Sequence, residues 1–156
     1  MSLGGGGGRG GGELEELSEQ LEALQSQKEA LEGQVELLRE RQSDIDDAVK
    51  AVETLETGST VQVPLGGGAR LRATIEDVDK VVVDLGGGYA AEQAEGDAVD
   101  TLQSRRETLD DRIEDLREEI GDVDEELQQL SQRARQVQQQ QMQQQMQQMQ
   151  QQQDEG

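Results

Sequence analysis

The sequence predicts a mainly α fold with a small β segment: a long antiparallel coiled-coil hairpin with two β-hairpins inserted at the bend. Three observations predict it. Two stretches of similar length carry apolar residues at heptad spacing. Between them, apolar and polar residues alternate and are broken by two Gly-Gly-Gly runs. The aromatic side chains that usually dominate a globular core are nearly absent, with one Tyr and no Phe or Trp in 156 residues.

Residues 1–12 are mostly Gly, broken by Arg9, and are expected to be a flexible tail. No Gly-Lys-Ser/Thr follows, so the tract is not a phosphate loop. Residues 13–57 are expected to form coiled-coil helix 1. One seam row is Leu17, Leu24, Leu31, Leu38, Ile45 and Val52; the other is Leu14, Leu21, Lys28, Val35, Gln42 and Val49. Successive members lie three and four residues apart, which keeps one stripe facing a partner helix. Gly58 follows as the expected helix stop.

Residues 58–95 are expected to be two β-hairpins. Val61, Val63 and Leu65 alternate with Thr60, Gln62 and Pro64, and Leu71, Ala73 and Ile75 with Arg70, Arg72 and Thr74. A third run, Val81-Val82-Val83, ends at Leu85, and a weaker fourth covers Tyr89 to Glu92. The turns fall at Gly66–Gly68, Asp77–Asp79 and Gly86–Gly88.

Residues 96–141 are expected to be coiled-coil helix 2, with Asp97 as its N-cap. Its rows are Leu102, Leu109, Leu116, Val123, Leu130 and Val137, and Val99, Arg106, Ile113, Ile120, Leu127 and Ala134. If Leu55 faces Val99, Lys28 comes near Glu125 and Glu126, and Arg106 near Asp47. Arg106, Lys28 and Gln42 are polar seam residues, the type that sets register at some cost in stability. Residues 142–156 form a Gln/Met-rich tail. Such a tract is disordered unless the helix continues into it, and both residue types favour helix. A continued helix puts Met142, Met146 and Met149 on one face, either as more seam or as an adaptable apolar surface.

Composition narrows the function. The chain holds no Cys and no His, which removes thiol nucleophiles, Ser-His-Asp triads, disulfides and most zinc sites. Adjacent carboxylates such as Asp110-Asp111 lie on coiled-coil flanks, where a solvated face is expected and not a water-excluded acid–base site. The chain is thus expected not to be an enzyme and to need no cofactor or metal. A net charge of −21 repels nucleic acid and anionic membrane, so neither is an expected partner. The simplest account of that charge is halophilic adaptation, since molar salt screens the self-repulsion. With no secretory or membrane-spanning run, a cytoplasmic location is expected.

The strands point to an oligomer. Two-stranded hairpins are marginal alone in water, their edges stay open, and no third helix covers them. Hairpins from several subunits are expected to close into a shared sheet or barrel through Val61, Val63, Leu65, Leu71, Ile75, Val81, Val83 and Leu85.

At this point the chain resembles archaeal prefoldin alpha subunits. The most specific residues run from Leu55-Glu56-Thr57-Gly58-Ser59-Thr60-Val61-Gln62-Val63-Pro64-Leu65 through Gly66-Gly67-Gly68, and then cover Leu85-Gly86-Gly87-Gly88-Tyr89-Ala90-Ala91-Glu92. The resemblance implies a hexamer of two alpha and four beta prefoldin subunits. It implies an ATP-independent holdase chaperone that binds unfolded proteins at its coiled-coil tips and delivers them to a group II chaperonin. It carries client contact over to Leu14, Leu17 and Leu21 on helix 1, and to Val137, Met142, Met146 and Met149 on helix 2. The alternative is a structural or tethering coiled coil that oligomerises through its β segment. Two Gly-separated hairpins are more than a tether requires.

Overall fold

The computed structural model describes the backbone of residues 8–154 and side chains from residue 12 onward. Six elements follow in order: α1 (Gly8–Thr54), β1 (Thr60–Gly66), β2 (Ala69–Thr74), β3 (Val81–Gly86), β4 (Tyr89–Gln93) and α2 (Glu95–Asp154). Two long helices thus enclose two small antiparallel hairpins. The described chain forms two compact units.

The first unit combines residues up to Val35 with residues from Asp115 onward. Leu17, Leu31 and Val35 from α1, and Leu116, Val123 and Val137 from α2, are its buried apolar side chains. All belong to the heptad rows. The segments run antiparallel: Glu13 reaches Arg133, and Lys28 reaches Asp124.

The expected tail overlaps this unit. Residues 1–7 and 155–156 lie outside the described residues, whereas Gly8–Gly12 form the first turns of α1. Each Gly there costs about 1 kcal/mol relative to Ala, so this end is the weakest part of the helix. At the other end, α2 runs through the Gln/Met tract to Asp154. Gln and Met lose little rotamer freedom in a helix and allow that extension.

The second unit covers Glu36–Glu114. Its buried side chains are Gln42, Ile45, Val83, Ala98 and Ile113. Strand β1 pairs only with β2, and β3 only with β4. The pairs Val61–Ala73 and Val63–Leu71 line one face of the first hairpin, and Gln62–Arg72 and Pro64–Arg70 the other. In the second hairpin Val81–Gln93 and Val83–Ala91 share one face, and Val82–Glu92 and Asp84–Ala90 the other. Each ladder shifts at a Leu-Gly step, after Pro64 and after Asp84. The Gly-Gly-Gly runs explain themselves: Gly66, Gly67 and Gly68 have φ of 96°, 58° and 83°, and Gly86, Gly87 and Gly88 have 94°, 62° and 82°. Three successive left-handed residues are accessible at low cost only to Gly.

Both helix ends next to the strands differ from expectation. Helix α1 stops at Thr54, and Gly58, with φ of 88°, serves the tight turn that follows. There the Ser59 amide donates to the Glu56 carbonyl, while the Gly58 and Ile75 amides extend the hairpin ladder. The strand pairing captures these residues before the helix can. Helix α2 starts at Glu95, so Asp97 sits inside its first turn. The Ala98 amide donates to the Ala94 carbonyl, which makes Ala94 the half-in residue. Glu95 and Asp97 still favour the start through the helix dipole.

Candidate functional site

Two surfaces are candidates, one in each unit. In the second unit the expected interface residues do not all lie open. Val63, Leu65, Leu71 and Leu85 are exposed, Leu65 at 64%. Val61, Ile75 and Val81 are half-buried. Val83 is buried within its own chain at 5% and is not part of the open surface. The pleat turns it inward, so its neighbour Val82 faces out and is exposed. Tyr89 is open at 76%. A cleft of about 790 Å³ beneath the hairpins adds apolar lining from Val52, Leu55, Ile75, Val78 and Val81. No period singles out Val82 in a three-Val run, or Val78 inside a turn.

In the first unit the expected client residues fall into two sets. Leu17 and Val137 are buried in the seam, and Leu14 and Leu21 are half-buried along it. Met142, Met146 and Met149 are exposed at 60%, 66% and 69%. Their phase matters. The rows ending at Ala134 and Val137 continue, at heptad spacing, to Gln141, Gln144, Gln148 and Gln151. The three Met lie off those positions and stack at i, i+4 and i+7 on another side of the helix. They do not continue the seam. They form a separate apolar strip on a stretch, residues 136–153, that carries no charged residue.

Polar seam residues set the pairing within each unit, one position away from the sequence expectation. Lys28 meets Asp124 at 2.7 Å, not Glu125 or Glu126. The hydrogen bond to Asp124 holds the Lys28 ammonium above the usual lysine range; partial burial opposes this, and the charges of Asp124 and Glu32 add to it. Arg106 meets Asp46 at 2.8 Å, not Asp47. Gln42 is buried, and its amide donates to the Asp110 carboxylate at 2.5 Å and to the Arg106 carbonyl at 3.2 Å. Arg106 also reaches Asp110 at 3.5 Å. The reason is heptad phase. Asp46, Asp110 and Asp124 each follow a seam residue directly and flank the stripe, whereas Asp47 and Glu125 point away from it.

The Arg106 contact is testable. Arg106→Glu places a third carboxylate beside Asp46 and Asp110 and should lower the melting temperature. Adding Asp46→Arg should recover about 0.5–1 kcal/mol, the usual range for partly exposed pairs. A double-mutant cycle by thermal denaturation gives the coupling. The same cycle with Asp47→Arg should show none.

Helix–two hairpins–helix, with apolar hairpin faces left open in the single chain, defines a class of coiled-coil subunit. Residues 24–140 match the model of the Prefoldin subunit family, and the chain belongs to that family. It is 62% identical over 69 residues to prefoldin subunit alpha of Halorubrum lacusprofundi, covering 44% of this chain and 45% of that relative. The chain therefore aligns with less than half the length of that relative. To prefoldin subunit alpha of Halobacterium salinarum it is 57% identical over 106 residues, covering 68% of this chain and 67% of the relative. The fold is similar to a filamentous PFD from Methanocaldococcus jannaschii solved by cryo-EM. That match has a TM-score of 0.50 and 25% identity, and covers 76% of this chain and 94% of the other. The charge of −21 accords with relatives from halophilic archaea. Among the described residues no helix is long and apolar enough to cross a membrane.

Proposed function

We propose that this chain is the alpha-type subunit of an ATP-independent holdase chaperone of the cytoplasm. It assembles through its hairpins with beta-type prefoldin subunits, two alpha to four beta, and passes unfolded clients to a group II chaperonin. The observation that carries client binding is the Met142, Met146 and Met149 strip: exposed, off the seam and set in an uncharged stretch. Thioether side chains are flexible and polarizable, which suits apolar segments of no fixed shape. The absence of charge there lets an apolar client approach a chain that is otherwise densely acidic. Leu14, Leu17, Leu21 and Val137 join that surface when the end of the helix pair frays, and the Gly8–Gly12 turns make fraying there cheap.

The test is suppression of aggregation of chemically unfolded citrate synthase, without ATP, by this chain assembled with its beta partner. The triple variant Met142→Gln, Met146→Gln, Met149→Gln should lose most of the protection while the complex keeps its native mass. Full protection by the variant rejects the Met strip. No protection by the unaltered complex rejects the holdase reading.

A further inference from the structure

The oxidisable side chains of this chain are few and gathered in one place. There is no Cys, His or Trp, and Tyr89 is the single aromatic residue. Of the four Met, three lie within residues 142–149, and Met1 lies outside the described residues. Every side chain from 142 to 154 is exposed. No Met belongs to the buried side chains of either unit. Sulfur is thus absent from both seams and concentrated on the open strip.

Oxidation of a thioether follows the access of oxidant to sulfur. A peroxide meets no competing thiol in this chain and no covering side chain at the three Met. The thioether sulfur attacks one peroxide oxygen. The O–O bond breaks, an S–O bond forms, and the second oxygen leaves as water. Sulfur is oxidised and the peroxide is reduced by the same electron pair. The product is a sulfoxide, polar and chiral where the thioether was apolar. Thiol reductants reverse the step through methionine sulfoxide reductase: two thiols become a disulfide and the oxygen leaves as water. The helix can hold the new oxygen. Gln138 and Gln145 flank Met142 at four and three residues, Gln150 lies four beyond Met146, and Gln153 four beyond Met149. Residues at that spacing are neighbours on the helix surface, and a Gln amide can donate to a sulfoxide oxygen. What changes is the strip. Burying a sulfoxide against an apolar segment strips its water without replacing the hydrogen bond, which is unfavourable.

We propose that the Met strip is a reversible oxidation site: peroxide-class oxidants convert Met142, Met146 and Met149 to sulfoxides, which releases apolar clients, and thiol-driven reduction restores binding. The fold is untouched in either state, because neither seam contains sulfur. The inference rests on the reading of the strip as the client surface, and it adds how that surface is regulated.

The test treats the full chain with hydrogen peroxide, removes the oxidant and assembles the product with untreated beta partner. Peptide mass mapping should find one added oxygen on each of Met142, Met146 and Met149. Affinity for casein, a protein unfolded in buffer, should fall about tenfold or more, the factor expected when an apolar side chain no longer leaves water. Native mass and far-ultraviolet circular dichroism should not change. Methionine sulfoxide reductase with dithiothreitol should restore the affinity. The variant Met142→Leu, Met146→Leu, Met149→Leu keeps Met1 as its single sulfur, and its affinity, whatever the starting level, should not respond to peroxide. Equal affinity after complete oxidation overturns the proposal. So does a loss that the reductase fails to reverse, a loss that also appears in the Leu variant, or a loss that comes with dissociation or reduced helix content. An untreated complex that does not bind casein strikes the holdase reading and this one together. A complex that binds casein equally before and after oxidation strikes this one alone.

Discussion

Replacing Val63, Leu65 and Leu71 together by Ser should convert the assembled protein to free chains while leaving its helix content unchanged. All three side chains are exposed in the single chain, Leu65 at 64%. Val63 and Leu71 are direct cross-strand neighbours, and Leu65 sits at the ladder shift beside them. They support little within their own unit, whose buried residues are Gln42, Ile45, Val83, Ala98 and Ile113. In an assembled sheet each would instead contribute about 1.5–3 kcal/mol by leaving water. Losing several kcal/mol from one contact weakens it by about three orders of magnitude. Native mass spectrometry with the beta partner reads the assembly, and far-ultraviolet circular dichroism reads the helices. Val82→Ser is the informative comparison. Val82 is equally open but stands on the polar face beside Glu92. It should cost assembly far less. An intact complex from the triple variant removes the apolar hairpin face from the assembly mechanism.

That contrast between Val82 and Val83 also marks where sequence stops and structure begins. The heptad rows were legible because a helix repeats its environment every three or four residues. Leu17, Leu31, Val35, Leu116, Val123 and Val137 are buried where the rows place them. The glycine runs were legible because three consecutive positive φ values leave few other choices. Alternation was legible in Val61-Gln62-Val63 and unreadable in Val81-Val82-Val83, where every position is apolar and only pairing decides the inward face. Helix ends were the least legible. Gly58 is a sequence signal for a helix stop, yet α1 ends earlier, at Thr54, and the ladder bond from the Gly58 amide to the Ile75 carbonyl, 2.8 Å, draws Gly58 into the hairpin. For the candidate site, spacing alone put the three Met on one face. Their position off the seam required knowing that α2 continues unbroken to Asp154. The ion pairs were legible to within one residue, and heptad phase was the missing step.

Leu116→Ala should be the most damaging single truncation in the helix pair. Leu116 is 1% exposed and is the largest fully buried side chain among the described residues. Removing it leaves a cavity in addition to the lost transfer energy, about 2–5 kcal/mol in all. Its unit has few other buried apolar side chains to absorb the loss, and a two-helix seam has no second layer that can collapse into the gap. Thermal melting followed by circular dichroism should therefore show a large downward shift. Leu116→Met conserves volume and should cost less than about 1.5 kcal/mol. Leu37→Ala is the control for helix propensity and side-chain loss at the surface: Leu37 is 57% exposed, outside both seam rows, and should shift stability by about 0.5 kcal/mol or less. If Leu37 and Leu116 prove equally costly, burial along the heptad rows does not hold the helices together. If only Leu116 is costly, burial along the heptad rows holds the helices together. The pairing energy then lies in a single stripe, which leaves the remaining helix surface free to carry the charge on which solubility at high salt depends.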